Sequence, residues 1–386
     1  MRISSVEAAV LQWPAASRDY WVSLSPIGPV TELLVRVRTD SGLVGIGEGH
    51  GSGLAISTPA GKRASGAALA VRDLMAPLLK GEDPLDSERL WEKMFGLTYK
   101  RGWRQAGHTR EEILTALASV DMALWDIKGK AAGIPVWKLL GGYRKQVPAY
   151  VTGGYYREGK TIQELQEECQ RFVSWGFKGI KIKIAGAPLE EDVKRVEAVR
   201  KAIGPNVDLM LDANEGYDVP TAIRAARAYE PFDIRWYEEP VHWYDNVEGL
   251  RRVAESTRIP IASGETDRLT RWQCRDMALR GGITLMQYDC TRAGGPTEWL
   301  RVAAMCAALN IRMAPHHDPQ IHGHLVAAAP NGEIVETFPE ADRDPVWAQL
   351  FTKKPELKDS VLTLNDDPGW GVELDENVVK QRAISF

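Results

Sequence analysis

Beyond Gly141-Gly142 the chain repeats one unit: short apolar or β-branched runs alternate with amphipathic helical stretches. The repeat recurs at intervals of roughly 25 to 30 residues, the spacing of successive βα units. Strands are expected at Val147-Thr152, Gly179-Ile184, Val207-Leu211, Ile234-Tyr237, Ile259-Ala262, Leu285-Tyr288, Ile311-Ala314 and Glu333-Glu336. Eight such strands indicate a barrel.

A barrel carries its chemistry at the C-terminal ends of its strands, and here those ends are nearly all ionisable. The second run closes on Lys181-Ile182-Lys183, the third on Asp212, the fourth on Glu238, the fifth on Glu265, the sixth on Asp289, the seventh on His316 and the eighth on Glu336. A closed ring points these side chains into one small space, where carboxylates repel and take up protons unless a cation sits among them. Asp212, Glu238 and Glu265 are hard oxygen donors with no sulfur or imidazole partner, which favours Mg²⁺ over zinc. Three protein ligands leave about three octahedral positions for water or substrate oxygens.

Lys181 and Lys183 alternate with Ile182, so both point into the barrel, where two ammonium groups depress one another's pKa and make a usable general base. Asp289 and His316 end neighbouring strands and can form a carboxylate-imidazole pair. His317 is adjacent, and successive side chains leave a strand on opposite faces, so one of the two faces the site. His324, just before an apolar helical run, reads as structural.

The front of the chain differs. Ile3 to Leu11 and Thr31 to Thr39 alternate apolar and polar, and the Asp40-Ser41-Gly42 turn leads into Leu43 to Glu48, giving a small antiparallel sheet. Helical spacing follows from about Ala60 through Ala131, so the first third is α+β. The tail, with Val361 to Leu364 and then Asp367-Pro368-Gly369-Trp370-Gly371, reads as strand and turn without a helix, returning to the first domain. With 48 Lys+Arg against 52 Asp+Glu, a net charge of -4 supplies no basic footprint for nucleic acid or an anionic membrane. Neither a signal h-region nor an apolar run near 18 residues or so is present, which suggests a soluble, cytoplasmic protein. Cys169, Cys274, Cys290 and Cys306 lie far apart, as reduced thiols do in a cytosolic protein.

These residues resemble the enolase superfamily, and within it the mandelate racemase subgroup. The likeness covers essentially the whole chain. Its most specific stretch runs from Ala118 through Asp121, Trp125, Asp126, Lys128 and Lys130 to Gly133-Ile134-Pro135 and Leu139-Leu140-Gly141-Gly142, similar to the family's bridge from cap to barrel. The resemblance implies an α/β fold: a modified (β/α)7β TIM-type barrel (131–359) beneath an N-terminal α+β capping domain (1–130) completed by the C-terminal tail (about 360–386).

Carried onto matching positions, the family's Lys-x-Lys motif falls on Lys181 and Lys183, its Mg²⁺ ligands on Asp212, Glu238 and Glu265, and its His-Asp dyad on His316 and Asp289. Its carboxyl-polarising glutamate, expected to act protonated, falls on Glu336, and its substrate-contacting asparagine on Asn214. The family register and the preceding Pro315 favour His316 over His317. The chain departs from the family pattern in the two covering loops, about Trp13 to Pro29 and Glu48 to Pro59. Arg18, Asp19, Tyr20 and His50 in them suit a polyol acid, with Tyr20 and His50 as substrate contacts.

The implied activity is Mg²⁺-dependent dehydration of an aldonate or aldarate to a 2-keto-3-deoxy acid. Racemisation or epimerisation of a 2-hydroxy acid is the alternative, since two bases on two faces permit either outcome. A non-catalytic metal-dependent sugar-acid binder would lack one base, and both are present. A hydrolytic metalloenzyme would need histidine ligands on its early strands. The partner is a small-molecule carboxylate, and the resemblance implies a symmetric homo-oligomer.

Overall fold

The computed structural model describes residues 1–14, 20–50, 55–57, 63–100, 107–266 and 268–384. Arg18, Asp19 and the side chain of His50 lie outside the described residues. At the front, strands Ile3–Trp13, Val30–Thr39 and Val44–His50 form an antiparallel sheet joined in part through the turn at Gly42, whose φ is +86°. The alternation seen in the sequence has a cause: Leu33, Val35 and Val37 share one face and bury it against Leu117, Val120 and Leu124 of the helix Arg110–Ala132. Strand Val44–His50 lies so close to that helix that a Cβ on Gly45 would meet the Ala123 carbonyl oxygen at 2.0 Å, and one on Gly47 the Ser119 oxygen at 1.8 Å. The helix starts at a capping box between Thr109 and Glu112 and stops at left-handed Gly133. It runs without a break through residue 130, where cap was expected to give way to barrel.

The eight barrel strands are Gln146–Gly153, Gly179–Lys183, Asp208–Asp212, Ile234–Glu238, Ile261–Ser263, Leu285–Met286, Arg312–Met313 and Val335–Thr337, counted below as first to eighth. They pair in parallel in sequence order from first to seventh, and the eighth pairs with the first. Between seventh and eighth the contact narrows to one bridge, in which Met313 N donates to Asn331 O (2.9 Å) and Glu333 N to Met313 O (2.8 Å). The ring is thereby closed.

Inside it the two-residue period of a strand stacks two layers. The lower is apolar, with Tyr150, Met210, Trp236, Ala262, Leu285, Ala314 and Ile334 in one buried cluster. Two residues further along several of these strands come Thr152, Asp212, Glu238, His316 and Glu336, so polar side chains stand on an apolar floor. The four cysteines are free and buried.

The tail departs from its sequence reading in two respects. Val361–Thr363 pairs antiparallel with the first barrel strand, not with the cap, and a helix, Glu376–Arg382, does intervene. Its start is capped by Asp375, whose carboxylate accepts from Asn377 N and Val378 N, a signal overlooked beside the denser turn residues before it. Only after that helix does Ala383–Ile384 join the cap sheet alongside Val10 and Leu11.

Candidate active site

The parallel register sets Lys183, Asp212 and Glu238 side by side on consecutive strands. Glu265 follows Gly264, whose φ of +113° turns the chain at the fifth strand end. Asp212, Glu238 and Glu265 each offer an oxygen to a point where these atoms lie within 4.8 Å of one another, and all three are buried. Glu265 Oε2 has no hydrogen-bond partner. An all-oxygen donor set with an orphaned buried carboxylate oxygen fits a hard divalent cation such as Mg²⁺.

Lys181, fully buried, reaches into the same space. Its Nζ bonds Glu238 and lies 2.8 Å from Glu336 Oε1, 3.9 Å from Asp212 Oδ2 and 4.0 Å from Glu265 Oε2. Lys183 Nζ bonds Asp212 Oδ2 and lies 5.3 Å from the centre of the Tyr155 ring. The expectation that the two lysines lower each other's pKa does not hold in this arrangement. Burial does pull both down, but Glu238 and Glu336 for Lys181, and Asp212 for Lys183, outweigh it and hold both above the ordinary lysine value. Asp212 is held low because Lys183 and Lys181 overcome the effect of burial. Burial and the Glu239, Asp212 and Glu336 carboxylates push Glu265 up to about 8 against the pull of Lys181.

Glu336 also differs from expectation. Burial favours its neutral form, but Lys181, His316 and Lys183 hold it well below the usual carboxylate range, so it is ionised here. It accepts from Thr152 Oγ1 and from His317 N at 3.0 Å.

His316 Nδ1 lies 2.8 Å from Asp289 Oδ2, while Nε2 stands 4.0 Å from both Glu265 Oε1 and Glu336 Oε2. Asp289 is fixed by Thr291 N (2.8 Å) and Thr291 Oγ1 (2.7 Å). With Nδ1 turned to the carboxylate, Nε2 is the nitrogen offered to the site. His317 takes a φ of +52° and turns away: its Nδ1 is 3.1 Å from Asp318 Oδ1 and its ring lies 4.6 Å from that of Phe338. His324 Nδ1 accepts from Trp137 N at 3.2 Å, and burial lowers its pKa to about 3, as suits a neutral structural imidazole.

Asn214 sits just past Asp212 with a φ of +41°, and its Oδ1 is buried with no hydrogen-bond partner. Tyr20 packs with Tyr155 and Phe338, 6.0 Å from the Tyr155 ring, and so forms part of a wall beside Lys183. Three residues here were not singled out from sequence: Thr152, Tyr155 and Glu239. Glu239 accepts from Thr266 N (3.0 Å) and Glu265 N (3.3 Å), bracing the turn that carries Glu265. The Glu238-Glu239 doublet before Pro240 was its only signal.

Fold and site together define a capped (β/α) barrel with a carboxylate cluster that fits a divalent cation between two basic side chains. Comparison with known proteins assigns the lineage. The family model for the mandelate racemase / muconate lactonizing enzyme N-terminal domain matches residues 6–141, and the enolase C-terminal domain-like model matches residues 164–378. The chain belongs to the enolase superfamily, in its mandelate racemase / muconate lactonizing enzyme group. It is 32% identical over 357 residues to arabinonate dehydratase of Saccharolobus solfataricus, covering 92% of this chain and 91% of that one. It is 35% identical over 347 residues to 3,6-anhydro-alpha-L-galactonate cycloisomerase of Streptomyces coelicolor, covering 89% of each. Among solved structures, L-talarate dehydratase from a Polaromonas species, complexed with Mg and L-glucarate, superposes with a TM-score of 0.84 at 31% identity, over 100% of this chain and 98% of that one. Among the described residues no helix is long and apolar enough to cross a membrane.

Proposed function

We propose that the protein is a Mg²⁺-dependent dehydratase of an acid sugar, an aldonate or aldarate, that removes the α-proton and the β-hydroxyl to give a 2-keto-3-deoxy acid. The observation that carries this reading is the placement of two side chains able to move protons, Lys183 on the second strand paired with Asp212 and His316 on the seventh 4.0 Å from Glu265 and Glu336, around one carboxylate cluster. Dehydratases of such acids among the relatives support it. In this reading 131–359 is the catalytic unit, and 1–130 with the tail from about 360 is its cap.

Asp212, Glu238 and Glu265 would hold Mg²⁺, which when bound would supply positive charge beside the substrate carboxylate. Lys181 binds the substrate carboxylate and fixes its plane. A carboxylate arriving beside Glu336 raises the pKa of that residue, so Glu336 enters the reaction carrying a proton it lacks in the free protein and donates it as a hydrogen bond. In the free protein Asp212 holds Lys183 protonated, so Lys183 must first give up that proton to solvent, as it would once Asp212 is engaged as a cation ligand; the neutral amine then takes the α-proton, and the electron pair moves into the carboxylate. The β C–O bond then breaks as the electrons return. His316, protonated and steadied by Asp289, gives its Nε2 proton to the departing hydroxyl, which leaves as water. The resulting enol takes a proton at carbon 3 to become the ketone. Asn214, Tyr20 and His50 are proposed as contacts to the remaining hydroxyls.

The test is incubation with Mg²⁺ and a panel of aldonates and aldarates, assayed for 2-keto-3-deoxy product. α-Proton exchange into D₂O without keto product would replace dehydration by racemisation or epimerisation. Neither signal with any acid would sink the enzymatic reading.

A further inference from the structure

Lys183 is the last residue of its strand, and the chain turns sharply after it: Ala185 has a φ of +67°. A strained turn directly behind a base would leave that base poorly aimed unless something outside the strand fixed it. Three side chains on the outer side of the barrel do so. Arg195, on the helix Leu189–Ile203, donates from Nη1 to Lys183 O (3.1 Å) and from Nη2 to Gly154 O (2.7 Å). It thus ties the end of the second strand to the turn after the first. Asp192, fully buried on the same helix, accepts from Arg195 Nη1 (2.9 Å), from Ala185 N (2.8 Å) and from the Tyr156 hydroxyl (2.5 Å). That hydroxyl in turn accepts from Gly186 N at 3.0 Å. The Lys183 carbonyl and the Ala185 and Gly186 amides are therefore held by Arg195, Asp192 and Tyr156 respectively, while Ile184 N donates to Asp212 O (2.9 Å).

The same Tyr156 meets the cap. Trp21 stacks on its ring at 6.0 Å between centroids and 16° between planes, and Tyr20–Trp21 pairs antiparallel with Tyr156–Arg157. Arg195 covers the ring as well, its guanidinium carbon 3.9 Å from the centre. At Gly186 the approach is so close that a Cβ would meet the ring at 2.4 Å.

We infer that Arg195, Asp192 and Tyr156 are positioning residues for Lys183, and that through Trp21 they make the aim of this base depend on where the cap segment sits. None of their hydrogen bonds or ion pairs goes to Asp212, Glu238 or Glu265. The inference rests on the proposed role of Lys183 as base, and its test separates the two.

The first arm uses acids epimeric at the α-carbon, which present their proton to Lys183 or to His316, and follows exchange into D₂O in the Mg²⁺-loaded protein. Arg195→Gln lowers Lys183-face exchange about 10- to 100-fold through kcat, leaves KM and His316-face exchange within about twofold, and Arg195→Lys restores part of the loss. An equal fall on both faces would mean a general structural role and overturn the assignment, as would no fall on either. The second arm needs no substrate: amide hydrogen exchange at Ala185 and Gly186 in Trp21→Ala. About tenfold faster exchange there, with the amides of the seventh strand unchanged, supports the link to the cap. Unchanged exchange at both amides removes that link. If no sugar acid reacts with the unaltered protein, the proposed function fails while this second arm still decides the positioning.

Discussion

Lys181 Nζ and Glu336 Oε1 stand 2.8 Å apart, both buried, at the point where the second strand faces the eighth across the first. The pair holds the glutamate ionised in the free protein, yet the proposed reaction needs it protonated when substrate arrives. Glu336→Gln keeps the shape and a permanent hydrogen-bond donor but abolishes the exchange of proton for charge. Turnover is expected to fall about 10²- to 10³-fold, the usual cost of losing a preorganised group at a developing anion. Steady-state kinetics on the best acid checks this, and a loss under threefold would remove Glu336 from the mechanism.

Three buried carboxylates that repel one another should be relieved by the cation they fit. Adding Mg²⁺ is expected to raise the melting temperature, with a linkage of about 2.7 kcal/mol at a hundredfold excess over Kd. Glu265→Gln should cut that gain by more than half. Thermal shift against Mg²⁺ concentration reads it directly, and chelation followed by re-addition should remove and restore activity.

Replacement of either histidine distinguishes their tasks. His316→Asn is expected to lower dehydration at least about 10²-fold while Mg²⁺ still binds, because the general acid is gone. His317→Asn should act chiefly on stability, since its ring serves Asp318 and Phe338 rather than the cavity. The opposite pattern would shift the catalytic register by one residue.

Between cap and barrel, Glu48 is fully buried and accepts from Gln320 Nε2 at 2.7 Å. Burial, then Asp318, pushes its pKa from 4.5 up to about 8, so the folded protein binds this proton more tightly than the unfolded chain does. Stability is therefore lost as pH rises from about 4.5 through 8. His317 adds loss of the same sign: burial opposes its charge, but Asp318 and Asp344 raise its pKa from 6.5 to about 10. Glu48→Gln should flatten the fall in melting temperature between pH 5 and 8 or so, by about 2 to 4 °C for each kcal/mol removed. Denaturation at a series of pH values tests it, and an unchanged slope refutes the assignment.

Trp370 is fully buried, donates from Nε1 to Met122 O (3.0 Å), and donates from its amide N to Asp126 Oδ1 (2.9 Å). Trp370→Ala should cost about 3 to 5 kcal/mol, as large aromatic truncations in cores do. Chemical unfolding would show it, and a loss below about 1 kcal/mol would mean the tail is not anchored there.

The barrel was legible because its constraint is periodic: each strand must bury one face, and the charged residue closing each run stands out against that background. Asp212, Glu238 and Glu265 could be placed together from this alone. The ionisation of Lys181, Lys183 and Glu336 could not, because it depends on distances across strands that are remote in sequence. The lysines' mutual repulsion was visible in Lys181-Ile182-Lys183, whereas the carboxylates that overrule it come from three other strands. Arg195, Asp192 and Tyr156 were invisible for a related reason. Their helix and loop read as ordinary polar surface, and only the fold folds them behind Lys183. The helix Glu376–Arg382 was missed because seven residues give too short a window for a helical period.

The pairing of Ala383–Ile384 with Val10 and Leu11 ties the order of synthesis to the order of assembly. A ribosome delivers residue 10 long before residue 384, so while all the residues between them are made the edge of the first sheet at Val10 and Leu11 lacks its neighbour. An exposed edge of that kind is a template for pairing with other chains. The nascent protein thus depends on a strand made after the whole barrel to seal this edge, and a ribosome that stalls between the eighth barrel strand and Ala383 leaves a chain whose barrel strands are all made but whose first sheet is still open.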